Sequence, residues 1–420
     1  MANRNQLFLT RRLPALASRD FTLFLLGQLI SVIGTWMQAT ALPYLAYRLS
    51  GRPLDLGLIG FSTTLPTLLF ALPAGVFVEH WDKRKTVIFL QAIMAVLAFG
   101  LAVLTFSGHI QIWHIIIMSF LFGSATAVEV TARQAMLIEL SGREALPSAI
   151  ALQTTAFNVG RVLGPLCAAG LIAATGSEGN VFLVNGFSFI FVILGLLIAR
   201  TRFRVDDETS SDRNLRREFK EGITYIRGNV LVLSLILLSA LFGFFGIPLI
   251  QQIPALARDV LKTVADTEAI VAARTSSLYA AQGAGALVAA FMAAYMSSWD
   301  KNKMLTLGQI TFILPIIALG FVTKTPVALA LLIFIGWGTV TQLVTMNTMI
   351  QTQVPNGLRG RVFSIYFWAL QGVAPFGSIV IGWIAQNWNV PNAIVVGGIA
   401  CLVGVLVVRV VFSNRGDSVA

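Results

Sequence analysis

Charge is scarce in this sequence of 420 residues: 12% are Asp, Glu, Lys or Arg and 56% are hydrophobic. Soluble domains carry roughly 25% charged and about 45–50% apolar residues. A water-soluble enzyme of this length is excluded first, because a hydrocarbon bilayer is the one solvent toward which so many apolar side chains can face. Histidine is almost missing, with His80, His109 and His114 the whole set, so no metal centre is expected. Cysteine is scarce too. Cys167 and Cys401 both sit inside apolar runs and read as small buried hydrophobes rather than a disulfide or metal pair. No G-x-x-x-x-G-K-S/T, H-E-x-x-H or G-x-S-x-G run occurs, and Gly283-Ala284-Gly285 lacks a third glycine. Nucleotide hydrolysis, zinc proteolysis and ester hydrolysis lose their signatures. No cofactor and no enzymatic reaction are expected.

What is present is a series of apolar stretches, each about 20 residues, the length that crosses roughly 30 Å of hydrocarbon at about 1.5 Å per residue. Twelve can be placed, at about 21–48, 55–80, 86–106, 112–138, 148–174, 181–199, 229–252, 275–298, 304–322, 326–353, 360–385 and 392–412. An even number puts both termini on one side. Of the 30 basic residues, 22 fall on the terminal side, including Arg4, Arg11, Lys83 to Lys85, Lys301, Arg359 and Arg415. Six fall opposite, namely Arg48, Arg52, Arg258, Lys262, Arg274 and Lys324, and the remaining two, Arg133 and Arg161, lie in or beside spans. Basic residues near span ends stay in the cytoplasm, so both termini are expected there. The net charge of +11 is thereby accounted for by topology and anionic lipid heads, and nucleic acid is not an expected partner.

The longest polar stretch, residues 200–228, divides six spans from six, giving an N-terminal half at 1–199, a cytoplasmic linker and a C-terminal half at 229–420. Within the linker Leu215, Phe219, Ile223 and Ile226 recur at helical spacing and predict a short amphipathic helix at the membrane surface. The halves echo each other: Leu42-Pro43-Tyr44-Leu45-Ala46 parallels Ile253-Pro254-Ala255-Leu256-Ala257 half a chain later. Such repeats are how many transporters build two faces around one central site.

The loop after the second span reads Gly75-Val76-Phe77-Val78-Glu79-His80-Trp81-Asp82-Lys83-Arg84-Lys85. A glycine permits close helix approach, the acid stands at a helix end, and the basic cluster can anchor to lipid phosphates. This run resembles the signature loop of the major facilitator superfamily. His80 replaces its usual basic residue, and Asp82 its usual glycine. A longer run, Glu129-Val130-Thr131-Ala132-Arg133-Gln134-Ala135 through Glu139, Leu146-Pro147 and Phe157-Asn158, is similar to the bacterial exporter branch that includes enterobactin and macrolide exporters. Thr131 stands where that branch has proline. With Leu358-Arg359-Gly360-Arg361-Val362 the resemblance extends over essentially the whole chain. It implies an all-α membrane fold of twelve transmembrane helices in two pseudo-symmetric six-helix halves. It also implies a conformational latch at Gly75, Glu79, Asp82, Lys83 and Arg84. Gly160, Gly164 and Pro165 resemble the glycine-proline motif of exporters and antiporters, without its usual paired glycine after the proline.

Charges inside spans cost about 2.5–3.5 kcal/mol each on insertion scales, so they mark a cavity, a partner or a proton site. Glu129 and Arg133 stand four residues apart on one helix face and can pair; they are the candidates for proton coupling, against the alternative of a static pair. Arg161 shares a face with Thr154 and Asn158, where it can attract an anionic substrate or a carboxylate such as Glu129, the alternative being a buried structural ion pair. Polar stripes in the first span (Gln28, Ser31, Thr35, Gln38) and the tenth (Thr341, Thr345, Thr348, Thr352) are candidates for the cavity lining, or for interhelical hydrogen bonds. The reading is a secondary active transporter that exports an amphipathic small molecule, drug-like or siderophore-like, against proton entry, surrounded by lipid and monomeric. The alternatives are a lysophospholipid or lipid transporter of the same fold, and a non-transporting sensor or scaffold.

Overall fold

In a computed structural model of the chain, residues 13–201, 215–263, 265–295 and 299–416 are described; within them the side chains at 71–72, 75–80, 215–219, 294–295, 356–357 and 413–416 are not. Twelve helices among the described residues are long and apolar enough to cross a membrane. Hydrocarbon offers backbone groups no partners, so the chain must satisfy its own hydrogen bonds helix by helix. The first six are α1 (Arg19–Ser50), α2 (Pro53–His80), α3 (Lys83–Phe106), α4 (Ile112–Ser141), α5 (Leu146–Thr175) and α6 (Gly179–Ile198). The linker holds α7 (Leu215–Gly228). The remaining spans are α8 (Val230–Val260), α9 (Glu268–Tyr295), α10 (Lys301–Leu319), α11 (Thr325–Gln353), α12 (Leu358–Trp388) and α13 (Val390–Gly416).

Two boundaries differ from expectation, for identifiable reasons. The helix α8 runs eight residues past 252 because two π-helical turns, Phe242–Gly246 and Leu256–Val260, carry it beyond Pro248 and Pro254. At the next span, α9 starts at Glu268 rather than near 275, since its polar first turns are held by ion pairs: Arg258 forks onto Glu268 at 2.7 and 2.8 Å, and Arg274 reaches Asp266 at 2.5 Å. Arg274 therefore lies inside a helix. The Asp266 carboxyl, outside the spans, is held below its ordinary range by the Thr263 N–H and then by Arg274.

The chain divides into two compact units, one of residues 1–45 and 69–209, the other of 46–68 and 210–420. In each, the same helix pairs meet at glycines. Within the first unit, added Cβ atoms would strike from Gly160 on α5 onto Val32 of α1 at 2.5 Å, and from Gly186 on α6 onto the Phe99 ring of α3 at 2.6 Å. The second unit repeats the order: Gly377 of α12 lies against the Phe244 backbone of α8, and Gly398 of α13 against Ile317 of α10. First with fifth and third with sixth helix thus pair alike in both sets of six. The third helices also begin alike, with Trp81-Asp82-Lys83-Arg84-Lys85 at α3 and Trp299-Asp300-Lys301-Asn302-Lys303 at α10. In both the aspartate is the N-cap: Asp82 Oδ1 accepts from the Lys85 N–H at 3.0 Å, and Asp300 Oδ1 from the Asn302 and Lys303 N–H groups at 2.8 and 3.0 Å.

In the linker, α7 lays Ile226 and Ile223 onto the core at the start of α12, with Gly222 against Ile365 and Glu221 paired to Arg361.

The glycine seam of α5 gives a test. A Cβ on Gly164 would stand 2.9 Å from the Trp36 carbonyl carbon, whereas one on Gly170 would meet nothing within 4 Å. Replacing Gly164 by Val is expected to destabilise by about 1–3 kcal/mol through overpacking, and Gly170→Ala to leave the thermal midpoint of detergent-purified protein unchanged. Equal midpoints for the two variants would refute the close α1–α5 contact.

Candidate functional site

The site is built first in the unit of residues 1–45 and 69–209. Glu129 on α4 is buried, 4% exposed, in the middle of a helix facing α3. Its Oε1 accepts a hydrogen bond from Gln91 Nε2 of α3 at 3.1 Å and lies 3.1 Å from Arg133 Nε, one turn on. The Arg133 N–H does not point along that line, and the contact is an ion pair rather than a hydrogen bond. Four residues place the two on one helix face, and Gln91, itself 2% exposed, supplies the neutral donor across the helix boundary. Nearer the α3 end of the same interface, Lys83 pairs with Glu139 at 2.6 Å and Arg84 Nη2 donates to the Leu197 carbonyl at the end of α6, 3.0 Å. Gly75 and Glu79 lie outside the described side chains, and Asp82 caps α3.

Arg161 on α5 is half-buried. Its guanidinium carbon lies 5.7 Å from the centre of the Trp36 ring on α1, and among the described residues its buried Nε has no hydrogen-bond partner and no carboxylate pairs with it. Trp36 is in turn met edge-on by Phe157 at 5.5 Å. Glu129, the carboxylate expected as a possible partner for Arg161, is engaged by Arg133 and Gln91 instead. Asn158 folds back to donate to the Thr154 carbonyl at 3.0 Å. Gly160 and Gly164 are what bring the two helices close enough for Arg161 to lie over Trp36.

The α1 stripe separates into two roles. Gln38 accepts from Asn185 Nδ2 of α6 at 2.8 Å, and Asn185 Oδ1 accepts from Ser188 at 3.0 Å, an interhelical bond in which all three side chains are buried. Ser31 is buried and Thr35 half-buried, while Gln28 Oε1 is buried without a partner. In the other unit, Thr341 and Thr345 of α11 line a cavity of about 40 Å³ with Lys301, Met292 and Trp337. A water needs about 10–15 Å³ of such space, so the cavity holds a few waters and not a drug-sized molecule. Thr348 and Thr352 return their hydroxyls to the backbone four residues earlier.

Sequence reasoning missed three pairings. Gln91 was hidden by the apolar run around it. Tyr47, whose hydroxyl donates to Asp259, belongs with that residue to the second unit and lines with it a crevice of about 400 Å³ with Gly51, Pro53 and Gln386. Arg409 donates to Gln309 inside a span. A search for polar residues within apolar windows finds Gln91 and Gln309, but not the Tyr47 pairing.

A family model described as Transmembrane secretion effector matches residues 11–419. The chain belongs to this family of the major facilitator superfamily. Among members of known function, the multidrug efflux pump Tap of Mycolicibacterium fortuitum is 24% identical over 377 residues, covering 87% of this chain and 88% of that one. The enterobactin exporter EntS of Escherichia coli O1:K1 is 22% identical over 399 residues, 94% and 92% of the two chains. Among solved structures, the nucleoside transporter NupG superposes with a TM-score of 0.72 at 12% identity over 94% of this chain and 99% of its own. The xylose transporter XylE from E. coli gives 0.68 at 14%, over 93% and 95%. This secretion-effector family member is accordingly a multi-pass inner-membrane transporter of small molecules with the major facilitator fold, not an enzyme.

The Glu129 cluster sets up a stability test. Breaking a buried pair from one side leaves an uncompensated charge and costs about 3–5 kcal/mol. Glu129→Ala alone is expected to lower the thermal midpoint more than Glu129→Gln combined with Arg133→Gln. A double variant less stable than the single one would show that the pair is not coupled.

Proposed function

We propose that this transporter exports an amphipathic small molecule, drug-like or siderophore-like and carrying a negative or strongly polarised oxygen, in exchange for protons. The observation that carries the reading is Arg161: a guanidinium inside a span, laid over Trp36 and matched to no carboxylate among the described residues. An unmatched cation in hydrocarbon is costly unless a substrate or water meets it. The indole face beside it attracts both cations and flat apolar groups, so the two together suit a molecule with an aromatic body and an anionic edge. Export is supported by the likeness to Tap and EntS over most of the chain. Glu129 is the candidate proton site, with Arg133 paired to it one turn on. Gln28, Ser31, Thr35, Thr341 and Thr345 are the candidates for wetting the path, and Lys83 and Arg84 for the latch. The bias of basic residues supports a cytoplasmic side for both termini.

The reading is tested by efflux from cells expressing wild type, Glu129→Gln and Arg161→Gln, with and without an uncoupler, across cationic dyes, a macrolide and a catecholate siderophore. Wild-type efflux is expected to collapse on uncoupling and Glu129→Gln to retain less than about a tenth of it, a loss of over ~1.4 kcal/mol in the coupled step. Arg161→Gln is expected to raise the half-saturating concentration most for the catecholate. Uncoupler-insensitive efflux that is unaltered in Glu129→Gln contradicts proton exchange through that residue.

A further inference from the structure

Another arginine within a span helix, Arg409, lies in the C-terminal unit. Arg409 is on α13, three residues before the end of its apolar stretch at Phe412. An arginine at such a depth ordinarily extends its guanidinium outward to water. Here Arg409 Nη2 donates instead to Gln309 Oε1 of α10 at 2.6 Å, and Gln309 is only 3% exposed. The guanidinium is therefore drawn toward the protein and fixed there by a neutral partner, which takes one of its five donors. No carboxylate pairs with it among the described residues. Asp300, the acid nearest to the start of α10, is occupied in capping that helix.

Arg409 forms one wall of a crevice of about 660 Å³ between α8, α10 and α13. The mouth is polar, with Asn229 at the start of α8 and Asn302 at the start of α10; the Asn302 side-chain amide makes no hydrogen bond among the described residues. Farther in, the walls are Leu235, Leu238 and Met349. From Asn229 to Leu238 is nine residues of helix, about 13 Å along the axis. Val408 is also a wall of a second crevice of about 400 Å³, whose lining, including Leu241, Phe244, Phe245 and Val407, is wholly apolar. The two crevices share Val408: the first has a cationic, amide-rich rim at the end of α8 next to α7, and the second is an apolar trough that ends at Phe245. The stretch from Leu235 to Phe245 is about 15 Å, half of the roughly 30 Å hydrocarbon thickness. A cation at headgroup level above one leaflet's depth of apolar wall matches a phosphate bearing an acyl chain.

We infer that the α8–α10–α13 crevice is a binding site for an anionic glycerophospholipid of the linker-side leaflet, its phosphate on Arg409 and Asn302 and one acyl chain along α8. This lipid is a resident ligand of the C-terminal unit, distinct from any exported cargo, and its binding does not depend on the transport reading. The shared chemistry of a phosphate could also come from inorganic phosphate, but that ion has no use for the apolar trough.

Thermal stability and native mass spectrometry of the purified full chain test this, titrating phosphatidylglycerol, phosphatidylcholine or inorganic phosphate into delipidated detergent solution. Phosphatidylglycerol is expected to raise the midpoint and to remain bound in the gas phase; phosphatidylcholine should bind about fivefold more weakly, and inorganic phosphate should do neither. Arg409→Gln is expected to weaken phosphatidylglycerol about fivefold, equivalent to ~1 kcal/mol of headgroup attraction, and Arg409→Lys to keep most of it. Ser234→Phe, which fills the crevice and leaves Arg409 in place, should lose the lipid while the apo midpoint stays near wild type. Equal phosphatidylglycerol affinity in wild type, Arg409→Gln and Ser234→Phe overturns the site. Equal binding of the two lipids overturns the role of charge, and protection by inorganic phosphate overturns the lipid.

Discussion

Everything in this structure follows from the cost of an unmatched charge in hydrocarbon. The chain answers that cost by using few charges and by finding partners for most of those it places near or inside the spans. Glu129 has Arg133 and Gln91, Lys83 has Glu139, Arg274 has Asp266, and Arg258 has Glu268. Against that background two arginines stand out. Arg161 has an indole face and Arg409 a glutamine, and neither has a carboxylate among the described residues. Where the protein leaves a cation unneutralised, a ligand is the natural source of the missing charge. The two differ in setting: Arg161 lies well within α5, beside aromatic rings, whereas Arg409 lies at the depth of lipid headgroups.

The same economy shapes the packing. Apolar side chains gain little from one another when lipid tails are equally apolar, so helices must hold together by close approach and by buried hydrogen bonds. Glycine seams supply the approach, α1 on α5 and α8 on α12, and Asn185 with Gln38 supplies a buried bond between α1 and α6. The α1–α5 seam links packing to the proposed function, because it is what lays Arg161 over Trp36.

Much of the fold was legible in the sequence, since span length and apolar content are direct readings of bilayer thickness. All twelve spans lie where apolar stretches mark them. What escaped was set by particular contacts. The first turns of α9 look like loop until Asp266 and Glu268 are seen to hold Arg274 and Arg258. The extension of α8 depends on π turns that absorb two prolines. The repeat was legible in a better place than the Leu42 to Ala46 echo: the W-D-K-x-K runs at Trp81 and Trp299 open the third helix of each set of six, and both use aspartate as an N-cap. Site residues were legible as types but not as partners. An arginine among apolar residues announces itself, whereas its match to Trp36 rather than to Glu129 depends on how α1, α4 and α5 are arranged in space.

The central claim is that Arg161 is left uncompensated in order to meet a negative group on the substrate. The most direct measurement is quenching of intrinsic tryptophan fluorescence in purified protein, titrated with pairs of amphipaths that share an aromatic body and differ only in carrying a carboxylate or catecholate in place of a neutral group. The anionic member is expected to bind more tightly to wild type, by about tenfold for ~1.4 kcal/mol, and the preference should vanish in Arg161→Gln while the neutral member binds as before. Equal binding of both members to wild type, or a preference that survives Arg161→Gln, contradicts the account.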